Sequence, residues 1–591
     1  MPWAIFNRPS IQLSTLKAYI EQQENGLSVD LLHPYLEVAK TIGIDSYQII
    51  AEKSWAAESL YYSLLFPKQF DQAKKIFHTT LDREQINVLP GFEVITSTLD
   101  KQLDDWLKSH EFDRCSLVGF SICFNQLPAS LLAAKRLKQL HPNLPVVFGG
   151  SSCAPAIGAS ILNAFPVVDF VVNGEGEQPL LDVCRFLSGA TSEPGPSIQH
   201  RQDKSLLADP LPSCSPGNEI PDINTLPIPD YDDYFHALKE SGLTFFPELP
   251  LEFSRGCWWN KCAFCNLNLQ WCGYRFKKSK RVAREVEMHI SRYQCLNFFF
   301  TDNALPPKEA DDFFSTMVAN DKGLKFFGEI RTLNKPEAYA LYSRGGLKSV
   351  QVGIEAFSDA LLKRMHKGTT TMENIASMKY AAQSGIKLDG NLILEFPGST
   401  ESEVRETLLA LDFTLPYSPL RAAAFFLGYG SPVYNDPAHY GVQAILQHPH
   451  YKKLIPGEIL SKLELLVKYP RGDRQRQHKL WQPVRKKIQA WNDFHLSRKS
   501  ILHPLTYRDG KDFIIIRQEC PGKPVMHHRL KGLSRKIYLA CTQPAATKTL
   551  LARFNSVTEK QLLGFLDDLS QKRLVFGDGK SYLALAIKKS N

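Results

Sequence analysis

RGCWWNKCAFCNLNLQWCGYR, residues 255–275, gathers four of the chain's twelve cysteines into one short stretch interleaved with aromatic residues. It follows LEFS (251–254), an apolar strand candidate. Behind it come NFFFTD (297–302), FFGEIR (326–331), SVQVGIEAF (349–357), NLILEFP (391–397) and AAAFFLG (422–428), separated by segments long enough for helices. One helix is well signed: Thr370 and Glu373 make a capping box, Ile375 and Met378 share an apolar face, and Ser384-Gly385 ends it. About six strand-helix units predict a parallel barrel, complete or partial, spanning 248–445. The cysteines then leave the carboxyl end of the first strand, where such barrels carry their active sites.

Cys257, Cys262 and Cys265 stand as C-x4-C-x2-C, with Cys272 left over as a nearby thiol. Two metals compete for them. Structural zinc takes four ligands, typically in two pairs, and Cys272 would complete such a set. A four-iron cluster held by three thiolates instead leaves one iron open to a small molecule. The strand-end position argues for chemistry over a staple. The other eight cysteines, at 115, 123, 153, 184, 214, 295, 520 and 541, are isolated and read as small buried hydrophobes.

Upstream, residues 1–185 read as an α/β domain with a doubly wound parallel sheet. WAIF (3–6), LSVDLL (27–32), CSLVGFSI (115–122), LPVVFGG (144–150) and VVDFVVNGEGE (167–177) are the strand candidates, and continuous apolar runs imply strands buried on both faces. Ligands of such sheets sit at the strands' carboxyl ends, here Gly149-Gly150 and Asn173–Glu177, unless those glycines only make tight turns. Prolines 194, 196, 210, 212, 216, 221, 227 and 229 mark 186–247 as a linker. Residues 446–505 read as a basic helical connector. In 506–591, a capping box at Ser556 and Glu559 and a hairpin turning at Asp578-Gly579 predict a small winged-helix-like module.

The cysteine triplet, with Phe264 before its last member and a strand ahead of it, resembles the radical S-adenosylmethionine (SAM) superfamily, whose usual first gap is three residues where this chain has four. SRGCWW, FCNLN (264–268), PDYDDYF (229–235), FTDN (300–303), GIEAFS (353–358) and MHKGTT (365–370) together resemble a narrower group: cobalamin-dependent radical SAM enzymes that mature ribosomally made peptides, often as C-methyltransferases. The resemblance implies that Cys257, Cys262 and Cys265 ligate a [4Fe-4S] cluster whose open iron binds SAM. It sets Phe264 against the adenine, Asp302 near the methionine moiety, Glu355 at the ribose or amino group, and Phe396-Pro397-Gly398 as a backbone turn beside the adenine. For Asp302 and Glu355 the alternative is a buried carboxylate capping a helix. Strand-end position and resemblance together give corrin contacts at Ser121 to Asn125, at Gly149, Gly150 and Ser151, and at Gly174 and Glu175. No D-x-H-x-x-G motif is present, so no histidine is expected under the cobalt.

The same resemblance implies a precursor peptide as substrate, held by strand addition at an edge of the C-terminal module, and an external one-electron reductant of flavodoxin or ferredoxin type. Composition is that of a globular protein, 43% apolar and 22% charged. No apolar run is long enough for a membrane span, and MPWAIFNRPS is no signal peptide, so a cytoplasmic protein without membrane or nucleic-acid partners is expected. Residues 452–499 hold thirteen Lys or Arg against four Asp or Glu, a surplus equal to the net charge of +9. This stretch, with Trp481 and Trp491, reads as a solvated helical linker or a grip for an acidic peptide.

Overall fold

The computed structural model describes residues 1–201 and 219–589 of the chain; prolines 210, 212 and 216 and Cys214 lie outside the described residues. The expected series of parallel strands is present. Strands Leu249–Leu251, Asn297–Phe300, Lys325–Ile330, Leu347–Val352 and Lys387–Asp389 pair in parallel in that order. After Gly390 the fifth strand resumes as Asn391–Leu394 and pairs in parallel with the sixth, Arg421–Ala424, and a bridge between Glu355 and Leu392 ties the two sets together. Side-chain alternation gives the barrel its two faces. Phe298, Phe300 and Phe326 are buried outward against Phe313 and Phe314 of the helix Pro307–Asn320, while Phe299 and Phe327 stack at 5.6 Å on the opposite, lumen face. Helix Thr371–Gln383 begins with the capping box of Thr370 and Glu373, as its sequence predicts.

The first 112 residues correct the sequence reading. Seven α-helices occupy Ile11 to Lys108, and neither WAIF nor LSVDLL forms a strand. Both are apolar because they lie against helices: Trp3 is buried, its indole N–H donating to the Ala57 carbonyl at 3.0 Å, and Leu31 is buried too. The sheet starts only at Val118–Ser121 and continues through Val146–Gly149 and Phe170–Val172 in parallel, with Ile198–His200 antiparallel at its edge. Strand order follows the sequence without reversal, so the sheet is not doubly wound as expected, although helices cover both faces. Val146, Phe148 and Val171 pack toward Leu127–Leu140 and Pro155–Ala164, and Val147, Phe170 and Val172 pack toward Glu177–Leu187.

The domain therefore runs past residue 185, and the span read as a linker holds strand Ile198–His200 and helix Asp232–Ser241. Residues 446–505 are likewise no solvated connector. Val467–Arg471 centres a three-stranded antiparallel sheet, and helix Gln482–Ser497 packs on the barrel with Trp481 and Trp491 buried. Some of its cations face carboxylates: Arg485 pairs with Glu395, Lys487 with Asp412 and Arg498 with Glu519.

The C-terminal module pairs Leu505–Asp509, Phe513–Gln518 and Met526–Lys531 as an antiparallel meander. Three helices and the hairpin Val575–Gly577/Ser581–Ala584 follow, in the order of a winged helix. Its capping box lies two residues later than expected, at Thr558 and Gln561 rather than Ser556 and Glu559. Of the isolated cysteines, Cys153, Cys295 and Cys541 are buried as read, whereas Cys115 is exposed. Among the described residues no helix is long and apolar enough to cross a membrane.

Candidate active site

The cysteine stretch is a closed excursion. Ser254–Arg255 pairs antiparallel with Arg275–Phe276 at its base, and the chain between turns back on itself at Gly256. Gly256 has φ +81°, and a Cβ there would lie 2.6 Å from the Gly273 carbonyl, so no other residue fits. Asp302, at the end of the second strand, holds this base. It accepts from the Phe253 N–H at 3.0 Å and the Ser254 hydroxyl at 2.5 Å, and burial pushes its carboxyl up to about 7. The structure thus uses Asp302 to anchor the excursion, and the helix-capping alternative does not hold.

The far side is clamped by two segments. The Ala263 N–H donates to the Met365 carbonyl at 2.9 Å, and the Val433 N–H to the Ala263 carbonyl at 3.0 Å. The Trp259 indole N–H donates to the His366 carbonyl at 2.8 Å, its ring lying where a Cβ on Gly368 would be. Arg331 lies over the Trp259 ring at 4.3 Å and donates to the Lys367 carbonyl.

Cys257, Cys262 and Cys265 are each half-buried and close enough to act on one another electrostatically. Burial raises the Cys262 thiol, opposed by Lys367 and Arg331, and pushes the Cys265 thiol up to about 11. Three thiols on one loop, facing two buried cations, suit a group that carries thiolate charge. Cys272 is engaged in a disulfide and is not a free fourth thiolate, so the four-cysteine zinc site is not formed. Among the described residues no three His, Cys, Asp or Glu side chains converge as ligands of a single ion would.

Around the thiols stand residues the sequence reading named and others it missed. Glu355, with φ +61°, pairs with Lys367 at 3.1 Å, and the Lys367 ammonium lies 5.9 Å from the Phe264 ring. Gly398, with φ +69°, accepts from Arg364 at 2.6 Å through its carbonyl, and Pro397 lines a separate cleft with Glu395, Phe425 and Arg474 whose lining includes none of the three cysteines. Lys367 and Arg331 were missed although both lie in quoted motifs, because nothing in a single strand says which side chain will face a loop. Glu329 was missed as well; burial, then Glu355 and Asp302, push its carboxyl up to about 7.

At the sheet's carboxyl end, Ser121 and Gly149 are register partners, Asn125 is buried, and Ser151 is half-buried. Gly150 has φ +101°, and a Cβ there would lie 2.7 Å from the Ile122 backbone. Phe124 stands 59% exposed beside this edge, and the buried Ser152 hydroxyl has no hydrogen-bond partner, two features that suit a large, partly apolar ligand. The third turn is already occupied by the protein. Glu175 pairs with Arg255 at 3.1 Å and Arg275 at 2.5 Å, and Gly174 faces the Gln270 carbonyl. Arg255 also binds Glu177 at 2.6 Å and Glu252 at 2.8 Å, so a buried ion network joins the sheet to the base of the cysteine loop.

The chain is similar to several known proteins. Residues 251–411 match the radical SAM superfamily. The chain is 28% identical over 304 residues to an uncharacterized methyltransferase of Pyrococcus horikoshii, covering 49% of this chain and 63% of that protein. It is 24% identical over 300 residues to the anaerobic magnesium-protoporphyrin IX monomethyl ester cyclase of Rubrivivax gelatinosus, covering 48% and 52%. The chain thus spans less than two thirds of either relative. Among solved structures it is similar to the radical SAM methyltransferase TsrM of Kitasatospora setae, at 16% identity and a TM-score of 0.49 over 66% of this chain and 80% of that one. From the first barrel strand through the helix that follows the fifth, residues 251–411 of this chain are similar to the radical SAM superfamily.

Proposed function

We propose that the protein is a radical SAM methyltransferase that uses a [4Fe-4S] cluster and cobalamin to methylate an unactivated carbon of a ribosomally made peptide. The observation that carries the reading is the clamped excursion: three mutually close thiols and no free fourth, at the carboxyl end of the first barrel strand. Cys257, Cys262 and Cys265 would hold the cluster, and Phe264, Glu355, Pro397 and Gly398 would border SAM. The turns at Ser121–Asn125 and Gly149–Ser152, with Phe124, would border cobalamin. When bound, the cluster supplies the electron that cleaves SAM, and cobalamin supplies the methyl group.

The chain's own residues orient and enclose. Asp302 fixes the base of the excursion, while Lys367 and Arg331 place positive charge beside the thiols. The Arg255 network sets the sheet against the barrel, so that two bound groups would keep a constant separation. Peptide capture is assigned to the C-terminal meander, whose strand Met526–Lys531 lies at the sheet's outer edge with alternate residues exposed. Its His527, Arg529 and Lys531 favour an acidic leader segment. The electron would come from a flavodoxin- or ferredoxin-type donor. The cyclase relative keeps open radical chemistry without methyl transfer.

Anaerobic reconstitution with iron, sulfide and cobalamin, followed by reductant, SAM and peptide, tests the proposal. Formation of 5'-deoxyadenosine, S-adenosylhomocysteine and a peptide heavier by one methyl group is expected. Deoxyadenosine without methylated peptide would favour the alternative, and stoichiometric zinc without iron would remove both.

A further inference from the structure

Beneath the cysteine loop, the lumen face of the barrel carries a polar row. Alternation along the third strand buries Phe326, Gly328 and Ile330 outward and turns Phe327 and Glu329 inward. Glu329 is the register partner of Gln351, and Gln351 of Asp389, so the three stand side by side on adjacent strands. One step toward the strands' amino ends, Phe299 and Phe327 form a stacked aromatic floor, with the Arg8 guanidinium over the Phe299 ring at 3.9 Å.

The neighbouring carboxylates are already engaged, Asp302 with Phe253 and Ser254, and Glu355 with Lys367. Glu329 stands beside Gln351 and has no ion-pair partner among the described residues. Lys367 acts electrostatically on both Glu329 and Cys262.

We infer that Glu329, flanked by Gln351, selects the residue to be modified by accepting N–H donors from its side chain while the apolar stem lies on the Phe299–Phe327 floor. The substrate residue is therefore one with an apolar stem and an N–H terminus, such as lysine or glutamine, rather than a wholly aliphatic one. Half-buried carboxylate and amide acceptors strongly favour a donor-bearing group, because an apolar end would leave them unpaired. The inference rests on the peptide-modifying reading above.

The test uses acetylated, amidated Gly-Gly-Xaa-Gly-Gly peptides with lysine, glutamine or norleucine at the centre. It measures 5'-deoxyadenosine formed by reconstituted full-length enzyme with SAM and dithionite. The lysine and glutamine peptides should raise the rate saturably and the norleucine peptide should not. E329L should raise the half-saturating concentration of the lysine peptide about tenfold, and E329Q, which keeps an acceptor, by less; iron content and melting temperature report the integrity of each variant. An equal response to all three peptides, including none, or an unchanged half-saturation in E329L, overturns the inference. Failure of the wild-type enzyme to cleave SAM without peptide would instead overturn the reading it rests on.

Discussion

The mouth of the barrel and the end of the N-terminal sheet occupy the same topological position, the carboxyl ends of parallel strands, yet they treat their charges differently. At the barrel, Lys367 and Arg331 lie within electrostatic reach of the thiols, and Glu329 keeps no ionic partner among the described residues. At the sheet, the carboxylate of the most polar turn, Glu175, is consumed by Arg255 and Arg275, and that turn has become a docking surface for the cysteine loop. A strand end is a ligand site only to the extent that the protein leaves its polar groups unsatisfied. The sheet retains that character at Ser121–Asn125 and Gly149–Ser152, and at Asn173, whose buried side-chain oxygen has no hydrogen-bond partner.

The largest effect expected from this contrast comes from the thiols. Alanine at Cys257, Cys262 or Cys265 should abolish both bound iron and deoxyadenosine formation, whereas C272A should keep its iron; an iron-free C272A would break the contrast at its centre. Next is the network between the two regions. R255A strands Glu175, Glu177 and Glu252 without their shared cation and should cost about 3–5 kcal/mol in chemical denaturation, with R255K recovering part of it. A loss below 1 kcal/mol would mean that the sheet docks without the network.

A third effect is pH-dependent. Burial raises the Glu58 carboxyl in the N-terminal helices to about 8, and the Asp302 and Glu329 carboxyls to about 7. A carboxyl with a raised native pKa binds its proton more tightly when folded, so each group costs stability as pH climbs from its unfolded value through its native one. Melting temperature should therefore fall between pH 5.5 and 8.5. E58Q should remove a large share of that fall, about 3 kcal/mol at the alkaline end, and an unchanged slope would show that Glu58 is hydrated. The smallest effect belongs to the exposed cations of the helical region. Alanine at Lys452, Lys453 or Lys479 should shift stability by no more than about 0.5 kcal/mol each.

Much of the barrel was legible in the sequence. Five of the six strand candidates overlap strands of the parallel set, whereas LEFS holds only the last residue of one strand, Leu251, and the first of the next, Ser254; the Thr370 cap opens its helix as expected. The last helix and the hairpin after it were legible as well, but the segment SVTEKQ holds two overlapping capping patterns, and the chain uses the second, Thr558 with Gln561. WAIF and LSVDLL misled for a definite reason: an extended segment crossing a helical core is as apolar as a buried strand, and only the missing ladder separates them. In the same way the prolines of 186–247 obscured Ile198–His200, which pairs at the sheet's edge, where interruptions on either side are tolerated.

What the sequence determined by itself is local. Three cysteines within nine residues lie on one loop whatever the rest of the chain does, and a strand before them places that loop at a barrel mouth. What only the tertiary structure decided is which distant charges meet there: Lys367 and Arg331 beside the thiols, Glu175 drawn to Arg255, Glu329 left for the lumen. Those outcomes depend on strand register and domain docking, in which a shift of one residue turns a side chain from the lumen to the core.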